Sequence, residues 1–533
     1  MFFDVIIRNG LVIDGTGCCR PIQKDIAILN GVIKAVDRLT SFNAAHVIDA
    51  SGMMVCPGFI DVHSHNDLVP FMDNKLQSVK LKQGVTTELA GQCGIGPAPY
   101  LEARNKDWKE YARGVIGDPG IVWNWETFRD YINDTSRQVL ANNYAFLVTH
   151  GAVRAKVMGL ENRTPAVEEL NTMGKLVEEA MEAGAYGLSL GLQYLPGIFS
   201  TREEMKKLFA SVGKHQGIIM VHLRNHSHMM LDSMEEVIKI ALETGTRLHV
   251  SHMRSYKRDG WGKRPEETLP LLHAANKRGL EITFDQHFYL GGSTLLTQLL
   301  PPWATQGGTA AMVERLQNKQ TLSRIKEELG NKELKYAGWD DYATITGWEN
   351  IIITSVNREQ NKSLQGKTIA EIASMWGVHP VDAAAGLLVE EQGGVGIVML
   401  DIFSEQDIEE LMRSPYQMVG SDSIPTGVPH PRLYGNFPLY IGKYVRDKKI
   451  LPIEEAIHKA TLLPARLLGL KDRGILQEGK KADIAVFDLN KIMGFEDYLN
   501  PTASPKGIKY VLVDGQVAVQ EGTFVGGKHG QVL

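Results

Sequence analysis

The sequence has little cysteine and little net charge. Only four cysteines occur in 533 residues, and two of them, Cys18 and Cys19, are adjacent. Four are too few for a disulfide framework in a chain of this length, which favours a reducing compartment. The 57 basic residues nearly balance the 62 acidic ones, giving a formal net charge of −5. That balance lacks the strongly basic character of nucleic-acid binders, so we expect no nucleic-acid partner.

Long apolar runs are also missing. No stretch has the length of a membrane span, and the first residues lack the basic region and apolar core of a signal peptide. We therefore expect a cytoplasmic protein without a membrane partner. With 43% hydrophobic and 22% charged residues the composition is typical of a globular protein, and the expected partner is a small molecule. Self-association is left open.

The stretch from Pro57 to Asp67, PGFIDVHSHND, carries the first chemical signal. Its apolar residues are typical of a buried parallel strand, and His63 and His65 stand two residues apart at its far end. Successive side chains of a strand point to opposite faces, so both imidazoles should lie on one side. Neutral imidazole is a common zinc ligand, which makes the pair a candidate metal site, although polar residues closing a strand would look the same.

From Gly58 onward, buried apolar strands alternate with amphipathic helices, the pattern of βαβ units and a parallel sheet. The first strand begins at Gly58, and the others are predicted at 85–93, 144–151, 186–194, 217–225, 247–254, 280–289 and 416–423. Eight such strands most simply close a (β/α)8 barrel, which places its chemistry at the C-terminal ends of the strands.

Antiparallel patterns at the two ends of the chain predict a smaller β domain. Asn9-Gly10, Asn30-Gly31 and Asp514-Gly515 are hairpin turn signals between alternating apolar residues. We expect one β-sandwich built from residues 1–57 and 471–533, beside a barrel of residues 58–470. A polar, partly helical insertion at about 290–350 is interpreted as a lid.

Six residues with metal-binding chemistry follow five apolar runs. They are His63, His65, Cys93, His222, His252 and Asp422. Each alone has an ordinary structural explanation, but all of them fall at the same ends of predicted strands. Four histidines, a thiol and a carboxylate on one face suit a zinc site with one or two ions. His249, three residues before His252, should face away from this site.

Longer motifs surround these residues. They are PGFIDVHSHND, GQCGIGPAP, THGAVR, YGLSLGLQYLPG, VHLRNHS, VSHMRS, GGSTLLTQLLPPWATQGG, and VGSDS with HPRLYGNFP. With them the chain resembles, over nearly its whole length, the amidohydrolase superfamily, and within it the D-aminoacylase (N-acyl-D-amino-acid deacylase) group. The resemblance implies metal-dependent amide hydrolysis in a barrel flanked by a β-sandwich.

The resemblance also implies roles for the candidate residues, with Zn2+ in one tight site and a second, weaker site as an option. The tight ligands would be Cys93, His222 and His252, the weaker ligands His63 and His65, and the catalytic carboxylate Asp422. Many amidohydrolases bridge two metals with a carboxylated lysine from the fourth strand. That strand, YGLSLGLQY, has no lysine here, so a thiolate from Cys93 is the expected bridge.

Departures from the family pattern bear on the substrate. The family's His-x-Lys after the sixth strand reads His252-Met253-Arg254, and its seventh-strand Asp-x-Tyr-Pro-Tyr becomes residues 285–289, DQHFY. An N-acyl amino acid carries a carboxylate, which arginine forks are suited to hold. The expected substrate-binding residues are Tyr194, Arg254, His287 and Arg432.

The expected reaction cleaves the amide bond of N-acyl-D-amino acids to a carboxylate and a free D-amino acid. Metal-bound hydroxide would be the nucleophile, with Asp422 as general base and acid. One alternative is a cyclic-amide hydrolase such as a dihydropyrimidinase, hydantoinase or dihydroorotase, whose lysine is missing here. A second is a non-catalytic scaffold that keeps the amidohydrolase fold.

Overall fold

The computed structural model describes residues 2–39, 43–256, 260–331, 333–498 and 500–533. The fold is mixed α/β. Both ends of the chain contribute to one large sheet, while the middle contributes parallel strands that alternate with helices.

Nine strands from the two ends of the chain form one mixed sheet. They are β1 (Phe2–Val12), β2 (Ile22–Leu29), β3 (Val32–Asp37), β4 (Asn43–Asp49), β5 (Met54–Pro57), β18 (Ile484–Phe487), β19 (Ile508–Val513), β20 (Gln516–Gln520) and β21 (Thr523–Phe524). The N-terminal and C-terminal strands meet where β18 pairs antiparallel with β5. This pairing of the two ends agrees with the sequence, whereas a division into two packed sheets stays a prediction.

The three predicted hairpin turns behave in two ways. Asn30-Gly31 joins β2 to β3, and Asp514-Gly515 joins β19 to β20, both with positive φ at each residue. The prediction for Asn9-Gly10 is wrong, because β1 continues through it with a register shift between Ile7 and Gly10. A Cβ on Gly10 would lie 2.4 Å from Cγ2 of Val55, so β5 covers the place where a turn would need space.

All eight predicted parallel strands are present, the third as two short pieces. They are β6 (Phe59–Asp61), β7 (Val85–Ala90), β8 (Asn143–Phe146) with β9 (Val148–Thr149), β10 (Gly187–Gly191), β11 (Ile218–His222), β12 (Arg247–Val250), β13 (Ile282–Gln286) and β17 (Gln417–Val419). Every paired neighbour runs parallel, in the orders β6-β7-β8 and β9-β10-β11-β12-β13-β17. Most are shorter than predicted, because the polar ends of the predicted runs belong to the following loops.

Hydrogen bonds connect these two sheets on both sides. Tyr186 N donates to Phe146 O at 3.0 Å on one side, and Asp422 N donates to His63 O at 2.8 Å on the other. Apolar residues from β6, β7, β8, β11 and β17 pack into one buried cluster. The strand ends that carry the polar residues therefore face one another.

Helices follow most of the parallel strands. They are α1 (Asn74–Leu81), α2 (Glu102–Ile116), α3 (Phe128–Ser136), α4 (His150–Met158), α5 (Val167–Glu182), α6 (Arg202–Lys214), α7 (Met230–Thr244), α8 (Arg264–Lys277), α9 (Pro302–Thr305), α10 (Gly308–Leu316), α11 (Lys319–Glu328), α12 (Tyr342–Thr346), α13 (Ile369–Trp376), α14 (Pro380–Glu390), α15 (Glu405–Met412), α16 (Arg432–Leu439), α17 (Ile453–Ala460) and α18 (Leu462–Leu467). A π-helical segment, Tyr440–Asp447, continues α16.

The segment between β13 and β17 forms a subdomain with its own core. Besides helices it contains an antiparallel sheet that the sequence did not predict, made of β14 (Gly292–Leu295), β15 (Ile351–Ser355) and β16 (Gly396–Met399). Most of its buried apolar residues form a separate cluster, whereas those of α15 pack into the other clusters. We call residues 290–412 the insertion; it is longer than the segment expected from sequence.

No single helix within the described ranges is long and apolar enough to span a membrane. One pair, Ile369–Trp376 and Pro380–Glu390, meets the length and composition requirement together but is bent by 93°.

Candidate metal centre

Three of the predicted site residues have an unusual backbone. Cys93, His252 and Asp422 lie two or three residues beyond the ends of their strands, with φ of 53°, 32° and 51°. Positive φ is costly for residues other than glycine and is concentrated at functional sites. The local chain is therefore held in a conformation that aims these side chains into one space.

Four donor atoms converge there. Cys93 Sγ lies 3.4 Å from His63 Nε2 and 3.4 Å from His252 Nε2. Asp422 Oδ1 is 3.4 Å from Nε2 of both His63 and His65. One donor atom from each of His63, Cys93, His252 and Asp422 lies within 4.8 Å of the others, and we call this group the donor cluster.

A second group of three imidazoles adjoins the donor cluster through His252. His222 Nδ1 lies 2.8 Å from His252 Nε2, and His226 completes the group. Both ring nitrogens of the buried His226 lack a hydrogen-bond partner among the described residues. All five metal ligands expected from sequence therefore lie at one location, together with His226.

Burial and neighbouring charges shift the pKa values of the histidines and of Cys93 in this site. It lowers the pKa of His222 and His252 well below the usual value, so both imidazoles are neutral and have a lone pair to offer. Burial raises the pKa of the Cys93 thiol to about 11, against the opposing effect of His63. Burial also disfavours charge on His63, but Asp285 and Cys93 outweigh it and raise the pKa of His63 well above normal.

Asp285 is a part of the site to which the sequence assigned no role. Its Oδ2 lies 3.1 Å from His63 Nδ1 and 2.9 Å from His249 Nε2, and its Oδ1 accepts a hydrogen bond from His252 N at 3.1 Å. The prediction that His249 faces away is wrong, because β12 ends at Val250 and strand alternation does not extend to His252. Asp285 thus orients His63 through its ring and His252 through its backbone N–H.

Gln193 is a second contact that the sequence did not indicate. Its Oε1 lies 3.0 Å from His222 Nε2 and accepts the Tyr342 hydroxyl at 2.8 Å. Its Nε2 donates to Asp340 Oδ2 at 2.9 Å. Tyr342 and Asp340 belong to the insertion, which therefore reaches a candidate ligand.

Two buried arginines lie beside the donor cluster. Arg432 Nη1 pairs with Asp422 Oδ2 at 3.0 Å, and Arg254 stacks over the Phe403 ring at 4.3 Å. His287 lies between them, its Nε2 2.7 Å from Arg254 Nη1 and 2.9 Å from Arg432 Nη1. Burial and the two cations hold the pKa of His287 well below normal, so its ring is neutral. We call these three residues, Arg254, His287 and Arg432, the arginine pocket.

The arginine pocket has spare hydrogen-bond donors. Nη2 of Arg254, and Nε and Nη2 of Arg432, are buried without a hydrogen-bond partner among the described residues. Buried guanidinium groups usually have their N–H groups paired, so the pocket is suited to an anion.

Tyr194 stands at the edge of the site. Its ring centre is 4.6 Å from that of His222, and its hydroxyl is 3.0 Å from Thr294 Oγ1. Burial raises its pKa well above normal, so the hydroxyl keeps its proton. The sequence pair Ser200 and Glu203 predicts a capping box at the start of α6. That prediction is wrong: the Thr201 side chain accepts a hydrogen bond from Glu204 N, and the Ser200 hydroxyl donates to Gly197 O.

The donor cluster fits a zinc ion. Zinc is held by imidazole nitrogen, thiolate sulfur and carboxylate oxygen at about 2.0 to 2.3 Å, which places ligand atoms of one ion about 3.3 to 3.8 Å apart. The 3.4 Å contacts of Cys93 with His63 and His252 match that spacing. Metal binding would also deprotonate the buried thiol, which otherwise has a raised pKa.

Known proteins are similar to this chain over nearly its whole length. Residues 46–519 match the amidohydrolase family. D-aminoacylase of Alcaligenes xylosoxydans xylosoxydans is 31% identical, with 100% of this chain and 97% of the relative covered. N-acyl-D-glutamate deacylase of the same organism is 31% identical, with 96% and 93% covered. The chain belongs to the amidohydrolase family, in the D-aminoacylase (N-acyl-D-amino-acid deacylase) group, as predicted.

Solved structures of similar proteins agree with this family assignment. N-acyl-D-glutamate deacylase from Bordetella bronchiseptica, complexed with zinc and a phosphonate mimic of the tetrahedral intermediate, has a TM-score of 0.84 at 30% identity, with 100% of both chains covered. L-hydantoinase from Arthrobacter aurescens has a TM-score of only 0.57 at 16% identity, with 99% of each chain covered. The second likeness shows the fold alone.

Proposed function

We propose that this protein is a zinc-dependent hydrolase that cleaves the amide bond of N-acyl-D-amino acids to a carboxylate and a free D-amino acid. One observation carries the proposal: a cluster suited to a cation lies beside a pocket suited to an anion, and Asp422 contacts both. An N-acyl amino acid presents a reactive amide carbonyl and a carboxylate a few bonds apart. The chain's membership in the D-aminoacylase group supports the same substrate class.

The proposed frame is a (β/α)8 barrel of residues 58–470 flanked by a β-sandwich of residues 1–57 and 471–533. The hydrogen bonds that connect the two parallel sheets, and the buried cluster shared by their strands, support a closed barrel. The lid proposed at about 290–350 would be part of the insertion, whose Asp340 and Tyr342 contact Gln193.

The ligands would divide between two positions. The proposed tight ligands are Cys93, His222 and His252, and those of a weaker position are His63 and His65. Cys93 Sγ lies within 3.4 Å of a histidine from each set, which supports a shared thiolate. When bound, zinc would supply Lewis acidity that polarises the amide carbonyl and makes water acidic enough to be a nucleophile near neutral pH.

Asp422 would move the protons. Burial disfavours its charge, but Arg432 and His63 outweigh burial and hold its pKa well below the usual range. The carboxylate is therefore ionised and can take a proton from the attacking water at Oδ1, the oxygen not paired with Arg432. It would return that proton to the nitrogen, which cannot leave as an amine anion. One proton leaves the water and one reaches the amine, so Asp422 is regenerated.

The arginine pocket would hold the substrate carboxylate. The unpartnered N–H groups of Arg254 and Arg432 are the donors available for it. His287, proposed from sequence as a substrate contact, lies between the two guanidinium groups and accepts from them, so it would keep them spaced. The hydroxyl of Tyr194 would donate to the carbonyl oxygen, a contribution of about 3 to 4 kcal/mol per donor in comparable sites.

The test is a substrate screen of the zinc-loaded protein. N-acetyl D- and L-amino acids are assayed beside hydantoin and dihydrouracil, with released amine or ring opening as the readout. The proposal expects amine from N-acetyl-D-amino acids, loss of activity on chelation and recovery with zinc. Ring opening without deacylation would favour the cyclic-amide alternative, and a zinc-binding protein inactive on the whole panel would favour the scaffold.

A further inference from the structure

The side-chain amide of Gln193 has a defined orientation. Its nitrogen donates to Asp340 Oδ2 at 2.9 Å, and its oxygen accepts the Tyr342 hydroxyl at 2.8 Å. A carboxylate can only accept, so the amide nitrogen must face Asp340. The amide oxygen is then the atom that lies 3.0 Å from His222 Nε2.

Asp340 is itself anchored. Its carboxylate accepts hydrogen bonds from His226 N at 2.9 Å and Ser227 N at 3.2 Å, and from the Ser227 hydroxyl. Nearby, Asn225 donates to Trp339 O at 2.8 Å and accepts from Gly338 N at 3.1 Å. This part of the insertion is therefore fixed to the loop after β11, the strand that ends in His222.

An amide oxygen beside an imidazole nitrogen requires a proton on that nitrogen. His222 must therefore carry its proton on Nε2, which leaves the lone pair on Nδ1. Nδ1 is the nitrogen that faces the site, 2.8 Å from His252 Nε2. The partner of the distal nitrogen sets the tautomer and ring orientation of a metal-binding histidine.

We propose that Gln193, held by Asp340 and Tyr342 of the insertion, fixes the tautomer of His222 and so acts as a positioning residue for the metal. The inference rests on the proposed function, because it takes His222 as a metal ligand. It gives the insertion a role in metal affinity that is separate from covering the substrate.

The experiment measures zinc dissociation constants by competition with a chromophoric chelator, together with the melting temperature of the zinc-free protein. Gln193→Met removes the oxygen that faces His222. The double variant Gln193→Glu/Asp340→Asn exchanges the acid and the amide, so that a carboxylate oxygen again faces His222 while the amide nitrogen donates to it. Gln77→Met is the matched control, because Gln77 is also buried and accepts Ala141 N at 3.0 Å, with no hydrogen bond to a site residue.

We expect zinc affinity to fall about 10- to 100-fold in Gln193→Met, as for the loss of other groups that orient metal ligands. The exchange variant should bind zinc with an affinity within about threefold of the wild type. Its zinc-free form should melt at a lower temperature, because the Asp340→Asn change leaves one acceptor fewer for the N–H groups of His226 and Ser227. Gln77→Met should melt lower with unchanged zinc affinity. A purely structural role would instead make affinity follow melting temperature.

Two results would overturn the inference: Gln193→Met binding zinc as tightly as the wild type, or the exchange variant binding as weakly as Gln193→Met. Should Gln193→Met fail to fold, the single variant Asp340→Asn is compared with the exchange variant instead. The inference then requires that the added Gln193→Glu change restores the zinc affinity that Asp340→Asn loses. Wild type that binds no zinc would refute both this inference and the proposed function. Wild type that binds zinc but deacylates nothing would refute only the proposed function.

Discussion

The donor cluster and the arginine pocket adjoin each other and are incomplete in opposite ways. The donor cluster gathers imidazoles, a thiol and a carboxylate within 4.8 Å and needs a cation. The arginine pocket gathers two buried cations with spare N–H groups and needs an anion. Asp422 contacts both, through Oδ1 on one side and Oδ2 on the other. On the proposed function, the pair of sites would select a substrate by the distance between its amide and its carboxylate.

The largest effect is expected from Cys93→Ala. Losing the thiolate should remove zinc and reduce turnover to the level of the chelated protein, since Cys93 Sγ lies 3.4 Å from Nε2 of both His63 and His252. Metal content and amine release are the measurements, with the buried Cys56→Ala as control. Full zinc occupancy and activity in Cys93→Ala would show that the donor cluster is wrongly assigned as the zinc site.

Asp422→Asn should separate chemistry from metal binding. The isosteric amide cannot accept the water proton, so turnover is expected to fall about 10²- to 10⁴-fold. Zinc content should stay near that of the wild type because the histidines and Cys93 remain. Unchanged turnover would remove Asp422 from the mechanism.

Arg254→Met tests the arginine pocket without changing the donor cluster. KM for N-acetyl-D-amino acids should rise about 10- to 100-fold, the effect of losing a charge-assisted hydrogen bond, with kcat changed much less. The same variant should act normally on an N-acyl amine that lacks the carboxylate. Arg473→Met is the control, because Arg473 is a buried arginine already paired with Asp483 at 2.9 Å. An equal KM rise for both substrates would contradict a carboxylate role.

The smallest effect of the four is expected from His63 and His65 replaced together by alanine. These residues belong to the proposed weaker position, so the double variant should lose less zinc and less activity than Cys93→Ala. Zinc titration and turnover under the same conditions measure the difference. A larger loss than in Cys93→Ala would reverse the ranking of the two positions.

The sequence predicts the donor cluster well because its signals are local. Each ligand follows an apolar run, and the C-terminal ends of parallel strands meet at one face. Asp285 lies in a motif noted from the sequence, but its contacts with His63 and His249 join residues far apart in the sequence. Strand alternation failed for His249 because His252, with which it was compared, lies beyond the end of β12 at Val250.

Contacts made by the insertion could not be predicted. Gln193 and Asp340 are 147 positions apart, and no pattern in either segment indicates that they meet. The insertion's antiparallel sheet was missed for a related reason, since β15 and β16 are short apolar runs about 40 residues apart in a polar, helical segment. Asn9-Gly10 shows the same limit, because the pairing of β1 with β2 continues through it with a register shift, and Val55 of β5 lies beside Gly10.

The most direct test is an anomalous difference map at the zinc edge, from crystals of the zinc-loaded Asp422→Asn variant soaked with an N-acetyl-D-amino acid. The account predicts a peak about 2.0 to 2.3 Å from Cys93 Sγ and from nitrogens of His222 and His252. It also predicts the substrate carboxylate against Arg254 and Arg432. A zinc peak away from Cys93, or a carboxylate bound away from both arginines, would contradict it.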